Sequence, residues 1–332
     1  MNRSLLKVLF FLLILFLLTG CSRLPITETK YLLGTEVTFT IHSHDKRLRG
    51  EMLFAAIDEG FREIERIEGV CKKGELRLLN GYSGNKYAPI GDELSFLIDH
   101  AYDIAGATNG AFRPDLGPLV RLWGIGTDNA RIPEYWEIDD ALEIVESTFF
   151  SMGDSGMARL DPAGASLDLG AIAKGYAVDR ACEVLRKYGV TAAMVWAGGD
   201  LRVWGTKPDG KPWRIGVRHP RNQSDFLAVL TIDSGAVATS GDYERYFEFE
   251  GGKYHHILDP EEGAPSRASI SSTVYAPTCM DADAYATAMF VLGPEKGMEV
   301  ANQLGVPAYI MDKKSGRYIV RKNEYFERLE EE

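Results

Sequence analysis

Two hydrophobic periodicities, one typical of helices and one typical of strands, limit the folds open to this chain, together with the order in which they occur. Apolar residues recur with helical spacing over 51–68, after Asp92 and over 171–188. Pro294 opens a late helix that Gly305 closes. Strand-like segments lie at 35–41, 191–197, 201–204, 213–218, 227–232, 245–250, 254–258, 270–276, 307–311 and 317–321. Because helices come early and late while strands fill the middle, we predict an α+β fold with mixed or antiparallel sheets and packed helices, and no repeating βαβ sheet.

The N-terminus has the composition of a secretory signal. Arg3 and Lys7 make it basic, residues 5–18 are almost wholly apolar, and Leu-Thr-Gly leads to Cys21. This ending resembles a bacterial lipobox, and the apolar run is short for a membrane-spanning helix. We predict an extracytoplasmic protein anchored to a bacterial membrane by lipid on Cys21; an uncleaved signal anchor is the alternative. The predicted divisions are a signal peptide at 1–20, a lipidated tether at 21–30 and a folded body at 31–332.

The charge of the mature chain excludes one class of partner and suggests a metal. Removal of Arg3 and Lys7 with the signal leaves 35 basic residues against 48 acidic ones, a net charge of −13. Such a chain has little affinity for nucleic acid, whose binding depends on neutralising phosphates. An anionic substrate would need a local cation to overcome this field.

Three cysteines remain after Cys21. They are too few for a disulfide framework, and their spacing fits no zinc pattern. Cys182 falls within a helical pattern and is expected in the core. Cys71 and Cys279 have the option of pairing, which the sequence does not decide.

Residues 168–179 lead from an apparent strand into a helix. Gly170 would let the backbone approach a ligand closely, and a helix start offers free N–H groups to phosphate oxygens. Lys174 would add a point charge for a phosphate. On this pattern alone, a plain helix start with a solvated lysine is the stronger interpretation.

Other polar segments are weak signals individually. Two glycines before Asp200 end a strand, and residues 106–135 are rich in Gly and Pro, which suggests a functional loop or small helices. His255 and His256 are adjacent on a strand, so they would point to opposite faces and only one would meet a ligand. A structural role for such a histidine is the more common case.

Asp283 and Thr287 are spaced i, i+4 on a predicted helix and therefore share a face. Their carboxylate and hydroxyl are hard oxygen ligands of the kind that Mg²⁺ takes. The alternative is an ordinary helix that Asp281 caps.

Taken together, the segments resemble the ApbE-type FAD:protein FMN transferases over nearly the whole mature chain, from about Leu33. The motifs that carry the resemblance are Leu33-Gly-Thr35, Gly110-Ala-Phe112, Gly117-Pro-Leu-Val-Arg-Leu-Trp-Gly124, Asp168-Leu-Gly-Ala-Ile-Ala-Lys-Gly175, Gly198-Gly-Asp200, Thr239-Ser-Gly-Asp-Tyr243, His256-Ile-Leu-Asp-Pro260 and Ala282-Asp-Ala-Tyr-Ala-Thr287. Each is weak alone, and their common order makes the signal strong.

The resemblance implies a single T-fold-like α+β body with FAD as substrate in a cleft. It implies Mg²⁺ held by the Ala171 carbonyl, the Asp283 carboxylate and the Thr287 hydroxyl. It implies FAD contacts at Leu33, Ala111, Phe112, Arg113, Asp168, Lys174 and Ile257. The implied reaction moves FMN onto a Thr or Ser hydroxyl of a redox-subunit protein and releases AMP. Hydrolysis of FAD to FMN and AMP, and flavin binding without catalysis, are the alternatives.

Three positions depart from the family pattern. Arg113 stands where an Asp is usual, which would place a cation near the ligand. Residues 69–73 have no aromatic side chain where the family has one beside the flavin. Ala286 replaces an Asp that is an extra ligand in some members. The base that would accept the proton of the acceptor hydroxyl is not fixed by the sequence, and Asp242 and His256 are the candidates. Asp283 would take part in catalysis mainly as a metal ligand.

Overall fold

The computed structural model describes residues 25–42 and 50–331. The predicted signal peptide and Cys21 lie outside these residues. The strands are β1 (Ile26–Leu32), β2 (Thr35–His42), β3 (Ala88–Pro89), β4 (Phe149–Met152), β5 (Met157–Asp161), β6 (Ala192–Ala197), β7 (Asp200–Trp204), β8 (Trp213–His219), β9 (Asn222–Ile232), β10 (Gly235–Gly241), β11 (Tyr246–Phe249), β12 (Gly252–His255), β13 (Ser271–Ala276), β14 (Ala308–Lys314) and β15 (Arg317–Lys322).

An eight-stranded sheet in the order β1-β2-β6-β7-β10-β13-β14-β15 forms the centre. Its paired strands are antiparallel. Two hairpins, β8–β9 and β11–β12, and the small sheet β3-β5-β4 lie beside it. The antiparallel sheet with separate helices confirms the predicted α+β class.

The helices are α1 (Gly50–Glu68), α2 (Glu75–Gly81), α3 (Asp92–Ala107), α4 (Gly117–Trp123), α5 (Tyr135–Ser147), α6 (Ala173–Lys187), α7 (Cys279–Leu304) and α8 (Glu324–Glu327). A break divides α7 at Gly293, where φ is 76°. Pro294 follows the break and begins the second half of α7, which agrees with the predicted helix start. Proline suits the first turn of a helix because the N–H groups there have no partner within the helix.

Alternation along the central strands fills a core on each face of the sheet. In β10, Ala236 and Ala238 face the larger core, which α1, α6 and α7 cover, while Val237 faces the other core. The second core lies under the β8–β9 hairpin and contains Phe326 of α8. A third, smaller core lies between α4, α5 and the β11–β12 hairpin, where the Trp123 indole donates to the Gly263 carbonyl at 2.8 Å.

The structure corrects two predictions about local structure and decides a third. Within the predicted tether, Ile26 to Lys30 belong to β1, which pairs with β2 along its whole length. Residues 106–135 contain α4, which agrees with the small-helix alternative predicted for them. No strand precedes Asp168 directly, since β5 ends at Asp161, a turn follows at 162–164, and residues 165–168 belong to no strand.

The three described cysteines are free and buried, so Cys71 and Cys279 do not pair. Cys182 lies in the core as predicted. Among residues 25–42 and 50–331, no helix has the length and apolarity needed to cross a membrane.

Candidate active site

A cavity of about 220 Å³ opens at the end of the central sheet where α6 begins. It lies beside the first turns of α7 and the C-terminal end of β10. Nearly all the residues that the sequence singled out line it: Ala111, Phe112, Arg113, Asp168, Ala171, Lys174, His256, Ile257, Asp283 and Thr287. Residues distant in sequence therefore meet at one place.

The carboxylate of Asp283 is held in a defined position. It is 5% exposed, and its Oδ2 accepts the Gly175 N–H at 3.0 Å. One turn further along α7, Thr287 Oγ1 lies 3.3 Å from Ser240 Oγ of β10. Both side chains line the cavity, as their i, i+4 spacing predicts.

Gly175 allows α6 to approach the start of α7. A Cβ atom at this position would lie 2.2 Å from the Cys279 carbonyl oxygen. On the same side of α6, the Asp179 carboxylate accepts the N–H groups of Cys279 and Met280, each at 2.9 Å. A carboxylate at a helix N-terminus satisfies free N–H groups and the helix dipole. The start of α7, and with it Asp283, is thus fixed by α6.

The cap of α7 is not Asp281. Thr278 is the N-cap residue, and its Oγ1 accepts the Asp281 N–H at 3.1 Å. Asp281 lies in the first turn and pairs with His100 Nε2 of α3 at 2.7 Å.

Lys174 is not the free cation that the sequence suggested. Its ammonium donates to Asp200 Oδ2, and its Nζ lies 3.9 Å from Asp283 Oδ1. Burial opposes the charge, but Asp200, Asp283 and Glu244 outweigh it and raise the pKa of Lys174. Lys174 is therefore fully charged and fixed between carboxylates.

Negative charge exceeds positive charge around Lys174. Asp200 is 1% exposed, and its Oδ1 has no hydrogen-bond partner among the described residues. Burial first, and then the Asp283 carboxylate, raise the pKa of Asp200. Three carboxylates, those of Asp200, Glu244 and Asp283, act on one ammonium. An additional cation would relieve this excess.

The donors available for such a cation are hard oxygens. The Ala171 backbone, the Asp283 carboxylate and the Thr287 hydroxyl all border the cavity. Within the described ranges, no three His, Cys, Asp or Glu side chains form a metal-binding group. The donors proposed here are of a different type, because Ala171, Asp283 and Thr287 together contain a single carboxylate. Its donor chemistry fits Mg²⁺, which binds through few carboxylates and keeps several waters.

The two adjacent histidines have different surroundings, as their alternation predicts. His256 lines the cavity, and its Nδ1 lies 3.3 Å from the Arg245 carbonyl oxygen. Since a carbonyl only accepts, Nδ1 carries the proton and Nε2 keeps a free lone pair. Burial, followed by the Arg245 cation, lowers the pKa of His256 to about 3, so the ring is neutral. His255 is buried against Phe290, not exposed, and its Nε2 donates to Ser266 O at 2.8 Å.

Arg113 borders the cavity, but its charge is already neutralised. The guanidinium donates to Asp115 at 2.8 Å, to Glu146 at 2.7 Å and to the Val145 carbonyl at 3.2 Å. The departure from the family residue therefore adds no free cation beside the ligand.

Two predicted residues lie outside the cavity wall. Asp242 accepts two hydrogen bonds from the Arg221 guanidinium, one of them at 2.7 Å, and Lys253 Nζ is 3.7 Å away. This ion-paired carboxylate is not positioned as a base for the cavity. Leu33 is buried, with φ at 56°, and its carbonyl accepts Arg245 Nη2 at 3.3 Å. Arg245 thereby connects Leu33 to the cavity.

Several residues of the cavity wall had no individual role in the sequence prediction, among them Lys72, Ser240, Glu244 and Arg245. Ser240 lies inside a recognised motif, and Glu244 and Arg245 directly follow it, so that motif was the available signal. Lys72 lies in a π-helical turn, Gly69–Lys73, whose position beside the cavity no local pattern indicates.

Comparison with known proteins places this fold and site in a family. Residues 33–310 match the ApbE family. A FAD:protein FMN transferase of Treponema pallidum is 33% identical over 303 residues, which cover 85% of this chain and 83% of that protein. One of Vibrio cholerae is 32% identical, covering 90% of this chain and 91% of its own.

Solved structures agree with the sequence comparison. The crystal structure of the ApbE protein from Thermotoga maritima superposes with a TM-score of 0.83 at 33% identity, covering 93% of this chain and all of the other. The flavinyl transferase ApbE of Pseudomonas stutzeri gives 0.78 at 28% identity, covering 92% and 96%. The chain belongs to the ApbE family.

Proposed function

We propose that this protein transfers FMN from FAD to a Thr or Ser hydroxyl of a redox-subunit protein, with Mg²⁺ bound, and releases AMP. The observation that carries the proposal is the meeting of Asp283, Thr287 and Ala171 with the predicted flavin-contact residues in one cavity. The names of the relatives, FAD:protein FMN transferase, support the same activity.

In this reaction the acceptor oxygen forms a bond to the FMN phosphorus, and the bond from that phosphorus to the AMP oxygen breaks. Mg²⁺ held by Ala171, Asp283 and Thr287 would supply positive charge against the pyrophosphate and the departing AMP. Lys174, whose ammonium is already paired with Asp200, would position the carboxylates of the site and leave the metal as the main positive charge there.

The proton of the acceptor hydroxyl needs a base within the cavity. His256 is the better placed of the two candidates, because it lines the cavity and keeps a lone pair on Nε2 while Nδ1 donates to the Arg245 carbonyl oxygen. Asp242 is occupied by Arg221 outside the cavity wall. We therefore assign the base role to His256.

We also propose that the chain works outside the cytoplasm, anchored to a bacterial membrane by lipid on Cys21. The support is the basic, apolar and Leu-Thr-Gly-Cys succession of the first 21 residues.

The test is incubation of purified protein with FAD, Mg²⁺ and candidate redox subunits. A fluorescent acceptor band in a denaturing gel, with one AMP per flavin bound, is the expected result. Rapid AMP and FMN release without acceptor would instead indicate hydrolysis. Neither product under any condition would indicate a flavin-binding protein without catalysis.

The metal assignment has its own test. Asp283→Ala should abolish Mg²⁺-dependent turnover, a loss of about 100-fold or more, because it removes the carboxylate ligand. Asp242→Asn is the matched control and should stay close to the wild-type rate. Normal flavinylation by Asp283→Ala would defeat the assignment.

A further inference from the structure

The end of the sheet opposite the cavity carries a group of basic residues on an otherwise acidic protein. This basic end consists of Arg186 and Lys187 in the last turn of α6, and of Lys207 and Lys211 between β7 and β8. Arg186, Lys187 and Lys211 are exposed, and Lys207 is half-buried.

Contacts place the two segments at the same end of the sheet, where a Cβ at Gly205 would lie 1.8 Å from the Thr191 carbonyl oxygen. The Arg186 guanidinium lies 4.8 Å from the centre of the Trp204 ring, and Lys207 Nζ lies 5.9 Å from that of Trp213. The Trp213 indole donates to the Gly205 carbonyl at 2.8 Å. Trp204 packs in the larger core and Trp213 in the second core, so the two pairs of cations flank this end of the sheet from its two faces.

The positive charge of the basic end is only partly neutralised, since Lys207 and Lys211 lie close enough to Asp209 to contribute, after the hydrogen bond from the Lys211 N–H, to the lowering of its pKa. None of its four cations forms an ion pair with another residue in the described part of the chain. Asp209 and Asp233 share this end, but Asp209 accepts the Lys211 N–H at 3.1 Å. Four cations against two acids leave an excess of positive charge, whereas the mature chain carries −13.

The N-terminal chain enters the fold at the same end. Ile26, the first residue of β1, pairs with Ile41, Ile41 pairs with Ala193, and Ala193 pairs with Trp204. Three residues lie between Cys21 and Pro25, and the four steps along the chain span at most about 14 Å. Lipid on Cys21 would therefore bring the bilayer surface to this end of the molecule.

We propose that the basic end docks onto the headgroups of an anionic phospholipid bilayer, and that this contact turns the cavity away from the membrane. The proposal rests on the lipid anchor proposed above. Cations near an anionic leaflet are attracted within a Debye length of its surface, about 8 Å at physiological salt. Tyr188, which is 38% exposed beside Lys187, is of a residue type favoured at headgroup level.

The fold then sets the height of the cavity above the bilayer. Helix α6 runs from Lys174 in the cavity to Lys187 at the basic end, and its 15 residues span about 22 Å. The β1–β2 turn at Leu33 and the turn before Asp200 lie at the cavity end of the same sheet. An acceptor protein would have to present its hydroxyl at about this height, from the aqueous side.

The test uses the mature acylated protein reconstituted on vesicles of phosphatidylglycerol mixed with phosphatidylcholine, and on phosphatidylcholine alone. Amide hydrogen exchange should slow around residues 186–189 and 207–213 on the anionic vesicles only. The protection should be lost at about 1 M salt, where the Debye length falls to about 3 Å.

Variants identify the cause. Glutamine at all four positions, Arg186→Gln, Lys187→Gln, Lys207→Gln and Lys211→Gln, should remove the protection and leave FAD turnover in detergent unchanged. The matched control makes the same charge change at and beside the β14–β15 turn, with Lys313→Gln, Lys314→Gln, Arg317→Gln and Arg321→Gln. This control should keep the protection of the basic end on anionic vesicles.

A failure of the proposed lipid anchor and a failure of the proposed docking give different results. Mass spectrometry that finds no acyl group on the mature chain would overturn the anchor and, with it, the orientation. An acylated chain whose basic end exchanges equally on both vesicle types would overturn the docking alone, as would equal protection by inorganic phosphate without vesicles.

Discussion

Lys174 and Asp200 are coupled to Asp283 through charge. Asp200 accepts the Lys174 ammonium, which also lies 3.9 Å from Asp283 Oδ1. The pair therefore decides how much of the Asp283 carboxylate is available to a metal ion.

Asp200→Asn should weaken Mg²⁺ binding by about tenfold, because Lys174 would turn from the lost carboxylate towards Asp283 and compete with the metal there. Calorimetric titration of Mg²⁺ measures this directly. Adding Lys174→Met to Asp200→Asn should restore much of the affinity. An affinity unchanged by Asp200→Asn would show that the pair does not act on Asp283.

The contact between α6 and α7 depends on one position without a side chain. Gly175→Ala should lower the free energy of unfolding by about 1–3 kcal/mol, because its Cβ would lie 2.2 Å from the Cys279 carbonyl. Gly106→Ala in α3, where a Cβ meets no atom within 4 Å, should instead stabilise by about 0.5–1 kcal/mol. Denaturant unfolding of both variants gives the comparison, and equal effects would contradict it.

A pH-sensitive contact joins α3 to α7. The hydrogen bond from His100 to Asp281 raises the pKa of His100 against the effect of burial. The contact therefore stabilises the fold fully at pH values below the pKa of histidine in the unfolded chain, about 6.5. This stabilisation is lost as the pH rises through the higher pKa of His100 in the folded protein. Burial opposes the charge of Asp281, but hydrogen bonds from His100 and Thr278 outweigh burial and lower its pKa. The stabilisation that the Asp281 carboxylate contributes is therefore lost only in acid.

The expected measurement is the difference in unfolding free energy between wild type and His100→Gln. It should be largest near about pH 6 and should shrink as pH rises further. Phe96, which stacks on the His100 ring at 5.8 Å, would be kept in both proteins. A difference independent of pH would mean that His100 contributes by packing alone.

At the scale of the whole molecule, β1 begins at the end of the sheet opposite the cavity, so the proposed anchor and the proposed chemistry would be far apart. Cys21→Ser should therefore move the protein from the membrane fraction to the soluble extracytoplasmic fraction, with kcat in detergent unchanged. Cell fractionation and a turnover assay on the same variant measure the two effects. Retention in the membrane would favour the uncleaved signal anchor.

Short-range patterns in the sequence were enough to predict the fold class and most of the individual helices and strands. The alternation at 35–41 gave β2, the helical spacing at 51–68 gave α1, and Pro294 marked the second half of α7. These signals are local, because periodicity reports which face of one element is buried. The i, i+4 spacing of Asp283 and Thr287 likewise fixes a shared face from the sequence alone.

Only the tertiary structure decided the charge state of the site. Lys174 and Arg113 read as free cations in the sequence. Asp200, 26 residues away, pairs with Lys174, and Glu146, 33 residues away, joins the nearby Asp115 in neutralising Arg113. Asp242 belongs to a cavity motif and yet pairs with Arg221 outside the cavity. Ion pairing depends on distances of a few ångströms between elements, and neither the period nor the composition of a segment contains that information.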